Sequence, residues 1–586
     1  MTAHGTAQIT QHDADPSADA NRPWWHDALI YQVYVRSFAD STGNGVGDLD
    51  GIAQHLDHIA ALGADGIWLN PCYPSPQRDH GYDVSDYFSI DPDYGTLDTF
   101  DALVGAAHER SLRVLMDIVP NHCSDQHPWF RAALAAPPGS AERDRFWFRD
   151  GRLDASGAAG PPNNWLAGFG GSAWTPAVDA GAPADDAQWY LGTFSPYQPD
   201  FNHTNPDVIE MFAEVLEFWF ERGVDGFRVD AIQPVGKHPD LPDQVVDPPD
   251  LDPLQIPWAN EFTIFRPEGH DVWRDWRHVI DRYAQRHGRQ LMMVAEAYLV
   301  RQPELMAEFT QSDQFHQAFA FDLMLSPWHD TSMRRAVDDP LLAYSLSGAP
   351  PAWTLNNHDT QRIVTRLGRA EATDPDTWTD LNLMLSPDPG DDVLGARRAR
   401  AAIVFTAALP GSLYLYQGEE LGLPEVLDLP LEARQDPVVE RTGGATLGRD
   451  GCRVPLPWHR DPGNNFGFSP PGSTAPPWLP QPAAWGHRSV EEEAADPNSM
   501  LHLYRAMATA RRELRIEPHD IDMLDVGADA LGFQRGSWTV VLNLSGEAID
   551  VRAVVDSEAT VALSSTADPV DAAAVPADTC VWWRTR

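Results

Sequence analysis

Apolar positions along the chain fall into two alternating kinds of run. Short, nearly continuous stretches rich in Val, Ile, Leu, Phe and Tyr occupy Leu29–Phe38, Asp65–Asn70, Arg113–Val119 and Val224–Ala231. Four more follow at Gln290–Tyr298, Gln317–Leu325, Pro351–Asp359 and Ser412–Glu419. Runs of this length without polar alternation fit parallel strands buried on both faces. Between them apolar residues recur every three or four positions, as Ile52, Leu56, Ile59 and Leu62 do in Gly51–Leu62. Asp207–Arg222, behind a Thr-Asn-Pro start, Val393–Ala408 and Met500–Leu514 show the same helical period. Eight strands alternating with helices predict an α/β fold, a (β/α)8 TIM barrel.

Two connections are too long for ordinary loops. Residues 122–205 contain Gly, Pro, Trp and short strand-like pieces, and are expected to form a small domain inserted after the third strand. The segment from Gln233 to about Glu261 is rich in Pro and Asp and is expected to fold over the barrel mouth. Beyond the last helix, short strands such as Ser537–Leu544 predict a C-terminal antiparallel β-sandwich at 516–586. With a polar leader at 1–22, expected to be disordered, the barrel is assigned to 23–121 and 206–515.

Composition narrows the function by exclusion. At 586 residues the chain should divide into more than one structural unit. Its formal charge of −44 would repel nucleic-acid phosphates and an anionic membrane surface, so neither is expected as a partner. Cys72, Cys123, Cys452 and Cys580 lie far apart and form no CxxC pair, which argues against a disulfide framework or a zinc site. The leader has no apolar run that would read as a secretory signal, and no later stretch reaches the ~18–20 apolar residues of a membrane span. The expected location is the cytoplasm.

The informative polar residues sit at the C-terminal ends of the predicted strands, where barrel enzymes carry their chemistry. These are Asn70, Asp117, Arg228, Asp230, Glu296, His358, Asp359 and Gln417. Any one carboxylate could be a plain ion pair with a nearby arginine. Three of them converging on one rim point to catalysis. Arg228 and Asp230 are two apart on a strand and share a face, so the arginine is expected to hold the Asp230 pKa low. Glu296 follows the apolar run Leu291–Ala295, where burial is expected to raise its pKa and keep it protonated. Two carboxyls pushed in opposite directions suit glycoside hydrolysis.

Five blocks carry a family resemblance: DIVPNH (Asp117–His122), QPDFN (Gln198–Asn202), GFRVDA (Gly226–Ala231), VAEAY (Val294–Tyr298) and NNHD (Asn356–Asp359). Together they resemble glycoside hydrolase family 13, the α-amylase family, in the family's order and over nearly the whole chain. The resemblance implies a retaining enzyme with Asp230 as nucleophile, Glu296 as acid/base, and Asp359 holding the 2- and 3-hydroxyls of the sugar. It also implies a −1 pocket that includes Tyr82, stacked on the pyranose, with His122, Arg228 and His358.

Within the family, WWHDALIYQVYVRSF (Trp24–Phe38) and DHGYDVSDY (Asp79–Tyr87) resemble the α-glucosidase and oligo-1,6-glucosidase group. That likeness implies an Asp83–Arg449 pair closing the pocket beyond the −1 sugar, hence exo action, with Phe169 and Phe194 as aromatic pocket residues. The small Ala231 after the nucleophile implies α-1,4 substrates. Expected partners are maltose, short malto-oligosaccharides and, more widely, sucrose or aryl glucosides, with transglucosylation as a companion activity. DSTGNGVGD resembles the group's calcium loop, implying Ca2+ at Asp40, Thr42, Asn44, the Val46 carbonyl and Asp48, with Thr42 standing where Asn or Asp is usual. No organic cofactor is expected, and Asn121 is assigned no metal. The competing readings are a glucosyl-transferring or isomerising relative, such as a trehalose synthase or sucrose-converting enzyme, and, from another class, a non-catalytic amylase-fold binding protein.

Overall fold

The eight apolar runs form strands β1 (Leu29–Val33), β2 (Gly66–Leu69), β3 (Arg113–Ile118), β4 (Gly226–Val229), β5 (Met292–Ala295), β6 (Gln317–Ala320), β7 (Ala352–Thr354) and β8 (Ser412–Tyr416). Each pairs in parallel with its neighbours in sequence, and β8 returns to β1 with Leu413 opposite Leu29, closing the barrel. This is a computed structural model that describes residues 22–153, 157, 159–246, 251–373, 386–517 and 519–585. The expected leader, apart from Arg22, lies outside the described residues.

The reason for the unbroken apolar runs is visible in the packing. Apart from Arg113 at the start of β3, every barrel-strand residue is buried. Ile30, Trp68, Leu115, Met292, Val294, Phe319, Ala352 and Tyr414, drawn from seven of the eight strands, cluster together as a filled interior. Trp68 and Phe319 meet there with ring centroids 5.5 Å apart, and Phe319 meets Tyr414 at 4.8 Å. The alternate strand residues pack outward against the helices, so neither face of the sheet is left wet.

Helices Pro206–Glu221, Asp392–Ala408 and Met500–Leu514 fall where the period predicts them. The expected helix Gly51–Leu62 differs. It starts at Leu49, where the Asp48 carboxylate accepts the Gly51 N–H, and it breaks at His55 into Leu49–Gln54 and Leu56–Leu62.

The insertion after β3 carries a three-stranded antiparallel sheet of Phe148–Asp150, Gln188–Leu191 and Trp174–Pro176. Trp147, Trp165, Trp174 and Leu191 form its own apolar cluster, which Leu241 from the long connection after β4 completes. That connection is tied to the insertion: Asn163 Nδ2 donates to the Leu241 carbonyl at 3.0 Å, and Trp165 Nε1 to that of Pro242 at 2.8 Å. At the C-terminal end a five-stranded antiparallel sheet runs in the order Asp522–Leu524, Ala530–Arg535, Trp538–Asn543, Thr579–Arg584, Thr560–Ser564. A two-stranded sheet of Ile549–Asp550 and Ala574–Val575 accompanies it. All four cysteines are buried with free thiols. Among the described residues no helix is long and apolar enough to cross a membrane.

Candidate active site

The strand ends converge on one guanidinium. Arg228, in β4 and 1% exposed, donates through Nη1 to Asp230 Oδ1 at 2.5 Å and to Asp117 Oδ1, at the end of β3, at 2.8 Å. Its Nη2 lies 3.8 Å from Glu296 Oε2 at the end of β5. Parallel pairing of β3, β4 and β5 aligns Asp117 with Arg228 and Arg228 with Val294, so Asp230 and Glu296 follow side by side two positions on and the guanidinium spans from Asp117 to both. The Glu296 carboxylate also accepts the Ala231 N–H at 2.7 Å. Ala231 has φ +42°, a left-handed conformation uncommon outside glycine, and this turn aims its N–H at Glu296.

Charge in this group departs from the sequence expectation. Burial pushes Asp230 up to about 7 and raises Glu296 as well, with Arg228 pulling both back. The two carboxyls are therefore shifted in the same direction, and Asp230 is not held low. The sequence shows the arginine beside Asp230 but not how completely both are withdrawn from water. What distinguishes the two is contact: Asp230 meets the guanidinium directly, whereas Glu296 meets a neutral backbone N–H. The direct guanidinium contact makes Asp230 the better placed of the two to carry negative charge.

The opposite wall is built by β7 and the loop after β2. Tyr82 lies parallel to His358, centroids 5.3 Å apart and planes 4° apart, and their Oη and Nε2 atoms are 2.7 Å apart. Gln32 Nε2 donates to His358 Nδ1 at 2.9 Å, leaving the ring proton on Nε2. The Tyr82 hydroxyl accepts from Asn70 Nδ2 at 2.8 Å and donates to Asp117 Oδ2 at 3.0 Å. Burial holds His122 down to about 4 and His358 well below the usual range, so both rings are neutral. Asp359 takes Arg449 Nη1 and Arg453 Nη2, each at 2.9 Å. Burial alone would raise its pKa, but the guanidinium groups of Arg449, Arg453 and Arg228 hold it well below the carboxylate range.

One pairing is corrected. Arg449 contacts Asp79 at 3.0 Å, Asp359 at 2.9 Å and Asp436 at 2.6 Å, but not Asp83. Asp83 is fully buried and accepts the Ser75 hydroxyl and the Arg78 and Asp79 N–H groups, so it holds the loop rather than the arginine. The backbone turns through positive φ at His80 and Gly81, which carries Asp79 towards the arginine instead. Asp79 and Arg453 were therefore missed as site residues. Arg453 lies four positions beyond Arg449 in GRDGCRVP (Gly448–Pro455), a second arginine so near the first that it was the available signal.

The aromatic pair is in place. Phe169 and Phe194 have centroids 5.8 Å apart, the Arg449 guanidinium lies 5.1 Å from the Phe169 ring, and Phe194 is 4.8 Å from His122. Asn121, left without a metal, is taken by the ammonium of Lys237 at 2.8 Å, which also meets Asp200 at 2.7 Å. This buried contact ties the rim, the insertion and the connection after β4 together.

The Asp40–Asp48 loop supplies an all-oxygen donor set. Asp40 accepts the Thr42, Gly43 and Gly45 N–H groups and the Ser469 hydroxyl, while Asp48 accepts the Ser41 and Gly51 N–H groups. Asn44 Oδ1 is occupied by the Val46 N–H, and the Thr42 hydroxyl points to Asp40. Asp40 and Asp48 are each 3% exposed, and neither has a salt-bridge partner among the described residues. Burial raises the Asp48 pKa and the Asp40 charge adds to that rise, so two close carboxylates share the loop without a cation from the protein. The two carboxylates are thus met by backbone N–H and hydroxyl donors of the loop and by no basic side chain among the described residues.

The chain is similar to known proteins over most of its length. Residues 32–517 match the family model described as the alpha amylase catalytic domain. The chain is 36% identical over 550 residues to a probable alpha-glucosidase of Rhizobium meliloti (strain 1021), covering 90% of this chain and 91% of the relative. Among solved structures it is similar to an alpha-glucosyl transfer enzyme, with TM-score 0.81 and 32% identity over 96% of this chain and 100% of the other. It is also similar to the trehalulose synthase MutB from Pseudomonas mesoacidophila MX-45, with TM-score 0.79 and 28% identity over 96% and 99% of the two chains.

Proposed function

The chain belongs to the α-amylase family, glycoside hydrolase family 13, and is a hydrolase of α-glucosides; on that premise we propose that it is an exo-acting, retaining α-glucosidase that prefers α-1,4 bonds. Asp230 attacks C1 of a terminal glucose while Glu296 gives its proton to the departing oxygen. The resulting glucosyl ester on Asp230 is opened by water, whose proton returns to Glu296. Asp359 accepts from the sugar's 2- and 3-hydroxyls, kept ionised by Arg449 and Arg453. Tyr82, His122, Arg228 and His358 line the glucose site, with Phe169 and Phe194 at its edge.

The observation that carries the exo reading is the Arg449 bridge from Asp79 to Asp359. A charge pair across the far side of the glucose site leaves room for one sugar ring. Maltoheptaose digestion tests this: glucose and maltohexaose should be the early products, and early maltose or maltotriose would overturn it. Ala231, with its single methyl group beside the acid/base, supports the α-1,4 preference. Maltose and short malto-oligosaccharides are the proposed substrates, with sucrose and aryl α-glucosides accepted, and alcohols or sugars can replace water on the ester. Buried free thiols support a reducing, cytoplasmic setting. The buried carboxylates of Asp40 and Asp48, which have no basic partner among the described residues, support a structural Ca2+ there, joined by Asn44, Thr42 and the Val46 carbonyl.

A further inference from the structure

We propose that Trp258 is the acceptor platform of this enzyme and that it selects planar, apolar aglycones, with phenols as the preferred glucosyl acceptors. The inference rests on the retaining α-glucosidase reading and extends it to the substrate's other half. Three rings run outward from the glucose site. Phe194 lies 4.8 Å from His122 on the inside, and Trp258 lies 5.5 Å from Phe194 on the outside. Phe169 flanks Phe194 at 5.8 Å. The planes of Phe169–Phe194 and Phe194–Trp258 are tilted by 53° and 60°, within the favourable range for aromatic pairs. Trp258 is 37% exposed, so the row ends in an indole open to solvent.

The indole is held in place. It sits on a short turn, Ile256–Ala259, whose Ile256 carbonyl accepts Gln244 Nε2 at 2.9 Å. Across from it is Gly168, where an added Cβ would come within 2.8 Å of Trp258 Cζ2, so the absence of a side chain lets the ring seat there. Gly168 and Phe169 are fixed in turn by N–H bonds to the Thr193 and Phe194 carbonyls at 2.8 and 3.1 Å. Leu254 approaches the same strip, 3.9 Å from where a Cβ on Gly170 would lie. The outer wall is therefore mainly aromatic, aliphatic or bare backbone, with the Arg441 guanidinium on the Gly170 carbonyl at 2.8 Å and Arg449 behind Phe169, a surface that offers a flat ring a stacking face. In transfer, a phenol oxygen attacks C1 of the glucosyl ester and its proton goes to Glu296. The C1–O bond to Asp230 breaks, and an aryl α-glucoside leaves.

The test gives the glucosyl-enzyme water and a phenol together and measures the ratio of aryl glucoside to free glucose, first with maltose as donor. Wild type should form aryl α-glucoside, and Trp258→Ala should lower the ratio about five- to tenfold while raising KM for aryl α-glucosides. Trp258→Phe should restore most of both. Because the ratio is taken within one reaction, loss of active protein does not mimic the effect. A wild-type ratio near zero, or an equal ratio in Trp258→Ala, overturns the proposal. Failure of wild type to release glucose from any α-glucoside would instead overturn the reading on which it rests.

Discussion

Ala231→Val probes the link between backbone and specificity, and the structure allows its two effects to be separated. Ala231 sits at φ +42°, and its N–H holds Glu296 at 2.7 Å. A β-branched side chain is poorly suited to a positive φ, and strain of this kind costs of order 1–3 kcal/mol. Relief of that strain would move the Glu296 donor and lower kcat for every substrate. The second effect is steric. Two added methyl groups beside a site that is 4% exposed should cost about 1–3 kcal/mol wherever the leaving sugar is held close. An α-1,4 bond holds it close, whereas an α-1,6 bond has an extra rotatable methylene that swings the ring away. The steric effect alone should therefore lower the ratio of kcat/KM for maltose to that for isomaltose by about 5–150-fold. The strain cancels in the ratio and appears instead as a common loss of rate and a lower melting temperature. If both substrates lose equally, Ala231 acts only through Glu296; a ratio that rises would refute the steric argument altogether.

Glu296→Gln should bind maltose but lose roughly 10²–10⁴-fold in turnover, with aryl glucosides losing less in the glucosylation step because their leaving groups need little protonation; an unchanged maltose rate would remove Glu296 from the mechanism. Because burial raises both carboxyls, the acid limb of kcat/KM should lie above the ordinary Asp value of about 3.9 and up to about 7. Attack requires ionised Asp230, so activity falls as pH drops through that limb, and a limb at ordinary Asp pH would contradict the burial argument. Chelation of a calcium-loaded preparation should lower its Tm without changing KM, and Asp40→Ala should abolish that shift; equal melting curves with and without chelator would leave the loop without a metal role.

How much of this was legible from sequence depends on what kind of contact each feature needs. The eight strands are legible because a parallel barrel buries both faces and so writes unbroken apolar runs. Arg228, Asp230, Glu296 and Asp359 follow from their positions at strand ends. Asp79 was missed in favour of Asp83 because the choice depends on the turn at His80 and Gly81, which reverses which carboxylate faces Arg449. The opposed pKa shifts were misjudged because sequence proximity reveals the arginine but not the shared desolvation. The helix break at His55 is likewise set by tertiary context, since the apolar period runs through it without interruption. Trp258 stood in a segment recognised only by composition, and its place beside Phe194 is a long-range contact that no local pattern encodes.

The assignment of Asp230 as nucleophile is tested most directly by trapping the covalent intermediate. A slow fluorinated α-glucosyl fluoride should load the enzyme with one sugar, and peptide mass spectrometry after acid quench should place it on Asp230. Label on Asp117, Asp359 or Glu296, or no label while β-glucose forms as the first product, would contradict the account.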